Sequence, residues 1–368
     1  MTTAPRLTID LSALADNWQF LKAKSPDAET AAVVKANAYG LGIEQAVPAL
    51  AAAGCKTFFT AMVEEGVRVR KLLPDARVFI LNGIFADTIA TAVEHELAPV
   101  LSTHDQISIW SAMAKGRPCA IHVDTGMNRL GLEMDEARKF SDNKSLIKKC
   151  GATLLMSHLA CADDPAHAQN ASQLANFREL TGLFDALTPS FANSAAILSA
   201  PETHFALTRP GIAMYGGEAV NDVPNPMKPV VKAETRILQI RNSKKGEAVG
   251  YGAAYVLTRD SRIAICSAGY ADGFHRAGSG CGVPLRGARE SGGFGQLGDH
   301  KVPLIGRVSM DLTAFDVTDL PEEDLKHSKW IELFGPNILV DDAARAAGTI
   351  GYELLTGLGG RYQREYVG

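Results

Sequence analysis

At 368 residues, 21% charged and 46% apolar, the chain has a globular composition and too much length for one ordinary core. A net charge of −4 gives no electrostatic reason to expect nucleic acid or an anionic membrane as partner. No apolar stretch is long enough to cross a bilayer and the start carries no secretory pattern; the scattered cysteines (55, 119, 150, 161, 266, 281) include no CxxC pair, which predicts reduced thiols in a cytoplasmic protein.

In chain order, 6–11 alternates like a strand and leads into a helix through Trp18 and Leu21. Ala31-Ala-Val-Val34 is an apolar run of the kind a strand needs when both faces are covered. Lys35 stands at its carboxyl end; Asn37, Tyr39, Gly40 and Gly42 read as turn residues, and a helix begins near Ile43. Strands over 57–61, 77–82, 98–102, 118–124 and 152–158 precede helices over 64–73, 87–96, 104–114, 134–149 and within 166–187. A short strand ending at Phe191-Ala192 and one over 205–209 close the series. About eight strand–helix units predict an α/β fold, an N-terminal (β/α)8 TIM-like barrel, with a doubly wound open sheet as the alternative.

Pro224, Pro226 and Pro229 mark a linker, because proline suits neither helix interior nor central strand. The expected domains are therefore 1–225 and 226–368; the strand at 6–11 is the one segment that could pack with the second domain instead. Beyond the linker, strands over 230–241, 262–268, 302–305, 313–317 and 330–334 alternate with glycine-rich turns. Helices are expected only near 341–347 and 352–356, so the second domain is smaller and mostly β. The glycine-rich stretch 278–298 opens no helix and is not read as a dinucleotide site.

Lys35, Asp124, Arg129, His158, Asn193, Ser194 and Arg209 fall at or just after strand ends, where barrel active sites are built. A lysine at a buried strand end loses its charged form more readily, which suits a Schiff-base nucleophile. Taken singly, each residue has a plainer reading: a snorkelling lysine, an aspartate holding backbone, a core histidine, a helix N-cap at Asn193. Zinc at His158 and Cys161 fails for want of a second ligand pair, so no metal is expected.

Several blocks, in order, change that balance. Ala31-Ala-Val-Val-Lys-Ala-Asn-Ala-Tyr-Gly-Leu-Gly42, Val123-Asp-Thr-Gly-Met-Asn-Arg-Leu-Gly131, Met156-Ser-His-Leu-Ala-Cys-Ala-Asp163 and Asn193-Ser-Ala-Ala196 come first. Thr208-Arg-Pro-Gly-Ile-Ala-Met-Tyr-Gly216, Val249-Gly-Tyr-Gly-Ala-Ala-Tyr255, Gly269-Tyr-Ala-Asp-Gly273 and Gly306-Arg-Val-Ser-Met-Asp311 follow. Over nearly the whole chain the pattern resembles the alanine racemases, which use pyridoxal 5′-phosphate (PLP) and are fold-type III enzymes.

The resemblance implies that Lys35 attaches PLP and acts as one catalytic base, while Tyr251 of the partner subunit acts as the other, on the opposite face of Cα. It implies that Tyr39, Asn193, Ser194 and the N–H groups of Gly211 and Ile212 bind the cofactor on its phosphate side. Arg209 would face the pyridine nitrogen, and His158 would bond toward that arginine and the catalytic tyrosine. Arg129 and the Met310 N–H would hold the substrate carboxylate, with Tyr270 on the substrate's approach route. A homodimer with shared active sites, an amino-acid substrate and D-alanine, a cell-wall precursor, as product are further implications. A phenol is an unusual base at neutral pH, and the His158–Arg209 network is the natural candidate to assist it.

Two positions depart from the pattern. His122 replaces a lysine that many members carry, often carbamylated, so a neutral or cationic imidazole, with or without a bound anion, must serve there. Gly360 replaces a tyrosine near the carboxyl terminus, which affects phosphate binding and substrate size. A racemase of broader specificity, for serine or basic amino acids, remains the alternative. A non-enzymatic PLP-binding barrel protein would normally lack residues 230–368, and a decarboxylase of related fold would lack the Arg209 and Tyr251 patterns.

Overall fold

A computed structural model describes residues 3–114, 116–279 and 293–368; most of the glycine-rich stretch at 278–298, with Cys281, lies outside them. The chain divides into two units. One comprises Leu14–Met214 and Glu218–Met227, the other Met1–Ala13, Tyr215–Gly217 and Lys228–Gly368.

The strands up to residue 209 are β1 (Arg6–Asp10), β2 (Glu29–Thr30), β3 (Ala32–Val33), β4 (Thr57–Thr60), β5 (Arg77–Ile80), β6 (Ala98–Leu101), β7 (Cys119–His122), β8 (Ala152–Met156), β9 (Thr188–Asn193) and β10 (Leu207–Arg209). All but β1 form one parallel sheet in the order β2-β10-β9-β8-β7-β6-β5-β4-β3. β2 and β3 are halves of one strand parted at Ala31, whose N–H reaches Thr208 O at 2.9 Å, so the sheet closes on itself. Closure makes this the expected barrel and rules out the open doubly wound sheet. The strands carry apolar residues in their middles because helices cover the outside and side chains fill the inside; Phe58, Phe59, Ile121, Leu155 and Phe191 are fully buried.

The helix Val63–Leu72 carries Glu64 and Glu65 in its first turn and Arg70 and Lys71 in its last, an order that suits the helix dipole. It can lie close on β5 because residue 66 is glycine: a Cβ there would stand 2.5 Å from Ile80 Cδ1. The single helix expected over 134–149 is instead two, Met134–Ser141 and Lys144–Lys149. The cause is local: Asn143 Oδ1 accepts the Leu146 N–H at 3.0 Å and starts a second helix.

The second unit adds β11 (Val231–Ser243), β12 (Ala248–Val249), β13 (Tyr255–Val256), β14 (Ser261–Cys266), β15 (Phe294–Leu297), β16 (His300–Ile305), β17 (Thr313–Asp316), β18 (Trp330–Phe334) and β19 (Gln363–Val367). Its main sheet runs β14-β17-β16-β15-β18-β11-β1-β19, and β14 also pairs with β11, which curls the strands from β14 to β11 into a ring. β1 lies here: it pairs antiparallel with β11 and parallel with β19, burying Leu7 and Ile9. Helices Glu322–His327, Val340–Ala347 and Gly351–Thr356 complete the unit; the first has no buried residue, and so no apolar stripe to betray it in the sequence. Among the described residues no helix is long and apolar enough to cross a membrane. The described cysteines are free thiols, all buried except Cys161, which is partly so.

Candidate active site

Lys35 follows β3, where the Val34 N–H still pairs with Phe59 O at 2.8 Å. The residues after it form a left-handed turn: φ is 52° at Ala36, 57° at Asn37, 54° at Ala38 and 53° at Tyr39, with Gly40 at 85°. For residues with a Cβ this costs about 1–2 kcal/mol each, so the surroundings must hold it in place. Inside the segment, the Ala38 N–H bonds Val34 O at 2.9 Å and the Gly40 N–H bonds Ala36 O at 2.8 Å. From outside, the Glu65 carboxylate accepts the Asn37 N–H at 3.1 Å, and Arg68 donates to Asn37 Oδ1 at 2.6 Å. Asn37 Oδ1 also accepts the Ile43 N–H at 3.2 Å and so begins the helix Ile43–Ala52. Burial first, then the charge of Arg129, holds the Lys35 amine below its ordinary range, against the pull of Glu65.

Arg209, at the end of β10, is buried. It donates to Ser190 Oγ, to Ser157 O at 2.5 Å and to Phe191 O at 3.3 Å, and lies 3.5 Å from His158 Nδ1. Burial brings the guanidinium down to about 9, which leaves it charged at neutral pH. A fixed buried cation discourages others nearby. Burial and then Arg209 push His158 well below its ordinary range. Burial, then Arg209, brings His122 down to about 4, with Asp124 opposing. Of the two forms expected at 122, the neutral ring is therefore the one favoured, its Nδ1 3.3 Å from Ser102 Oγ.

Asp124 organises the loop after β7. Its carboxylate accepts the N–H groups of Gly126 at 2.8 Å, Met127 at 2.7 Å and Arg129 at 2.9 Å. Burial would raise its carboxyl, but these donors outweigh that and hold it below the usual carboxylate range. Gly131 ends the loop at φ 122°, where a Cβ would stand 2.5 Å from the Asp124 nitrogen. The loop carries Arg129 exposed, and its charge acts on Lys35, His122 and His158.

At the end of β9, Asn193 Oδ1 accepts the Ala196 N–H at 3.1 Å, the expected helix cap. Ser194 Oγ accepts the Gly211 N–H at 2.8 Å and the Ala213 N–H at 3.4 Å. The Tyr39 hydroxyl packs over Gly211, where a Cβ would come within 2.4 Å of it. Ile212 opens the turn Ile212–Tyr215 between these N–H groups. Two hydroxyls and successive backbone N–H groups thus meet at one place, a donor set suited to phosphate oxygens. Among the described residues no cluster of three or more His, Cys, Asp or Glu is arranged for a metal ion.

Tyr251, Tyr270 and Met310 lie in the second unit, all exposed, Tyr251 by 71%. Their loops adjoin: the Tyr270 N–H bonds Ser309 O and the Ala271 N–H bonds Met310 O, each at 3.0 Å. A Cβ on Gly252, beside Tyr251, would stand 2.8 Å from Arg307 Nη1. Arg361 ties two of these loops, pairing with Asp272 at 2.8 Å and Asp311 at 2.6 Å. Its neighbour Gly360 has open space where a side chain would go.

The expected residues therefore fall into two sets. Lys35, Tyr39, Arg129, His158, Asn193, Ser194, Arg209, Gly211 and Ile212 gather around the carboxyl ends of barrel strands; Tyr251, Tyr270 and Met310 share neighbouring loops of the second unit. Sequence reasoning gave no role to Ser102 and Ser190, which stand outside any motif, or to Ser157, quoted only as the neighbour of His158. It also passed over Glu65 and Arg68. For Glu65 a signal existed: an acidic residue in the first turn of a helix directly after a strand.

Family models described as the alanine racemase N-terminal and C-terminal domains match residues 9–219 and 230–366. A biosynthetic alanine racemase of Agrobacterium fabrum is 52% identical over 365 residues, covering 98% of this chain and 93% of its own length. The alanine racemase of Rhizobium meliloti is 52% identical over 371 residues, with 100% and 98% covered. Among solved structures, the Bartonella henselae alanine racemase with covalently bound pyridoxal phosphate superposes with a TM-score of 0.90 at 35% identity, both chains covered in full. From sequence and fold alike, the chain belongs to the alanine racemase family.

Proposed function

We propose that the protein is an alanine racemase that interconverts L- and D-alanine with pyridoxal 5′-phosphate, using Lys35 and the partner subunit's Tyr251 on opposite faces of Cα. The observation that carries this reading is the arrangement at the barrel mouth: an amine that burial makes easier to deprotonate, in the same ring of strand ends as a buried fixed cation and a set of hydroxyl and backbone N–H groups. These residues fit the cofactor. Tyr39, Ser194 and the N–H groups near Gly211 suit its phosphate, with Asn193 shaping that helix start. Arg209 suits the ring nitrogen and Lys35 the aldehyde.

Bound there, the cofactor supplies an electron sink for the charge left at Cα when a proton is removed. The chain's own residues do the rest. Arg129 and the Met310 N–H hold the carboxylate and so fix which face of Cα each base meets. Lys35, whose amine burial holds below its ordinary range, takes or returns the proton on one face; Tyr251 serves the other. Arg209 keeps its proton at neutral pH, so facing the cofactor's ring nitrogen it would donate to that atom rather than supply it a proton, which would favour proton return over side reactions. The neutral His158 accepts from Arg209 and keeps the guanidinium plane fixed. The exposure of Tyr251, Tyr270 and Met310 supports a homodimer in which they complete the partner's site.

The test follows the alanine Cα proton by NMR in D2O, with chiral analysis of product and parallel serine, lysine and arginine samples. Wash-out and D-alanine from L-alanine alone is expected; exchange confined to a basic amino acid overturns the substrate, and none at all overturns the activity. Lys35→Ala and Tyr251→Phe should each be inactive, yet mixed subunits should regain turnover, because one site of the mixed dimer has both residues. No recovery would refute shared sites.

A further inference from the structure

One helix reaches the left-handed turn after Lys35 from outside with two side chains. Val63–Leu72 offers two side chains three positions apart, and so on one face: Glu65 reaches the Asn37 N–H at 3.1 Å, and Arg68 reaches Asn37 Oδ1 at 2.6 Å. Neither is loose. The other Glu65 oxygen accepts the N–H groups of Ala61 at 2.9 Å and Met62 at 3.3 Å, at the end of β4. Arg68 forks across Glu44 at 2.8 and 2.7 Å, on the helix that Asn37 itself begins. Four successive residues in an unfavourable conformation are thereby pinned at their second member, two residues along the chain from Lys35.

We infer that Glu65, assisted by Arg68, is a positioning residue for Lys35: by holding Asn37 it fixes the left-handed turn, and the turn fixes the direction in which the lysine leaves the strand end. This rests on the reading that Lys35 carries the cofactor. Glu65 touches neither the lysine nor the expected cofactor donors, so its action is geometric and indirect. Its charge would act in the opposite sense. A carboxylate near Lys35 favours the ammonium form, so an electrostatic role alone predicts faster attachment of PLP once the charge is gone. A positioning role predicts slower attachment.

The experiment uses full-length apoprotein mixed with PLP. It follows the visible absorption and circular dichroism of the attached cofactor, then borohydride trapping and peptide mass at Lys35. Glu65→Ala should slow attachment roughly ten- to a hundredfold, the scale of a small misplacement of a reacting group, and weaken the dichroic band. Glu65→Gln should fall between, since its one carbonyl can accept from Asn37 but its amide then opposes the N–H groups of Ala61 and Met62. Glu64→Ala, exposed beside it, serves as control and should match the wild type. Wild-type or faster attachment in Glu65→Ala overturns the inference. If Glu65→Ala does not fold, Glu65→Gln and Arg68→Met decide: slower attachment at wild-type melting temperature supports the inference, and unchanged attachment in both sinks it. Failure of the wild type to trap PLP at Lys35 overturns the parent reading instead.

Discussion

His122 joins burial to chemistry at a single position. Unfolded, its ring takes up a proton near its ordinary 6.5; folded, only near 4, because it is buried and faces the Arg209 charge. Between those values the unfolded chain binds more protons, so stability rises with pH through this window and is lost as pH falls toward 4. The gap is worth roughly 3 kcal/mol at most. His122→Asn should therefore flatten the stability profile between pH 6.5 and 4, measured by urea unfolding at a series of pH values. His158 is pushed the same way and should leave a residual slope. An unchanged profile in the variant would assign the acid sensitivity elsewhere. The same neutrality explains how a histidine can stand at this position: a charged ring beside Arg209 would add a second uncompensated cation to a buried site.

Among the elements, the left-handed turn is where stability is given up for geometry. Ala36 is exposed and makes its contribution through its backbone alone, at φ 52°. Glycine adopts that conformation without the Cβ clash, so Ala36→Gly should stabilise the protein by about 1 kcal/mol. Urea midpoints with an unchanged slope would register the gain. A loss would mean that the turn is less strained than its dihedral angles imply. The turn was legible only in part: Asn37, Gly40 and Gly42 announce a reversal, but nothing in Lys-Ala-Asn-Ala-Tyr announces its hand. That hand is imposed by partners 28 and 31 residues away, Glu65 and Arg68. The split of the helix expected over 134–149 is the converse case, a break that Asn143 carries in its own side chain.

For the whole molecule, β1 decides how the second unit holds together. It fills the place between β11 and β19 and buries Leu7 and Ile9, worth about 1.5–3 kcal/mol each. A fragment of 226–368 alone leaves two strand edges unpaired and that apolar face open, and should aggregate. Joining 3–13 to it through a flexible linker should recover a soluble, cooperatively melting unit, as read by circular dichroism and sedimentation; equal behaviour of both fragments would mean β1 is dispensable. By itself the sequence determined the alternation of buried strands with helices, and the family pattern nominated the candidate residues at strand ends. Only the tertiary structure decided that the parallel sheet closes, which sheet takes β1, that His122 favours its neutral form, and that Ser157 and Ser190 meet the buried Arg209 while Ser102 meets His122. Each depends on desolvation or on hydrogen bonds between residues far apart in the chain, and a local pattern of apolar and polar residues does not record such partners.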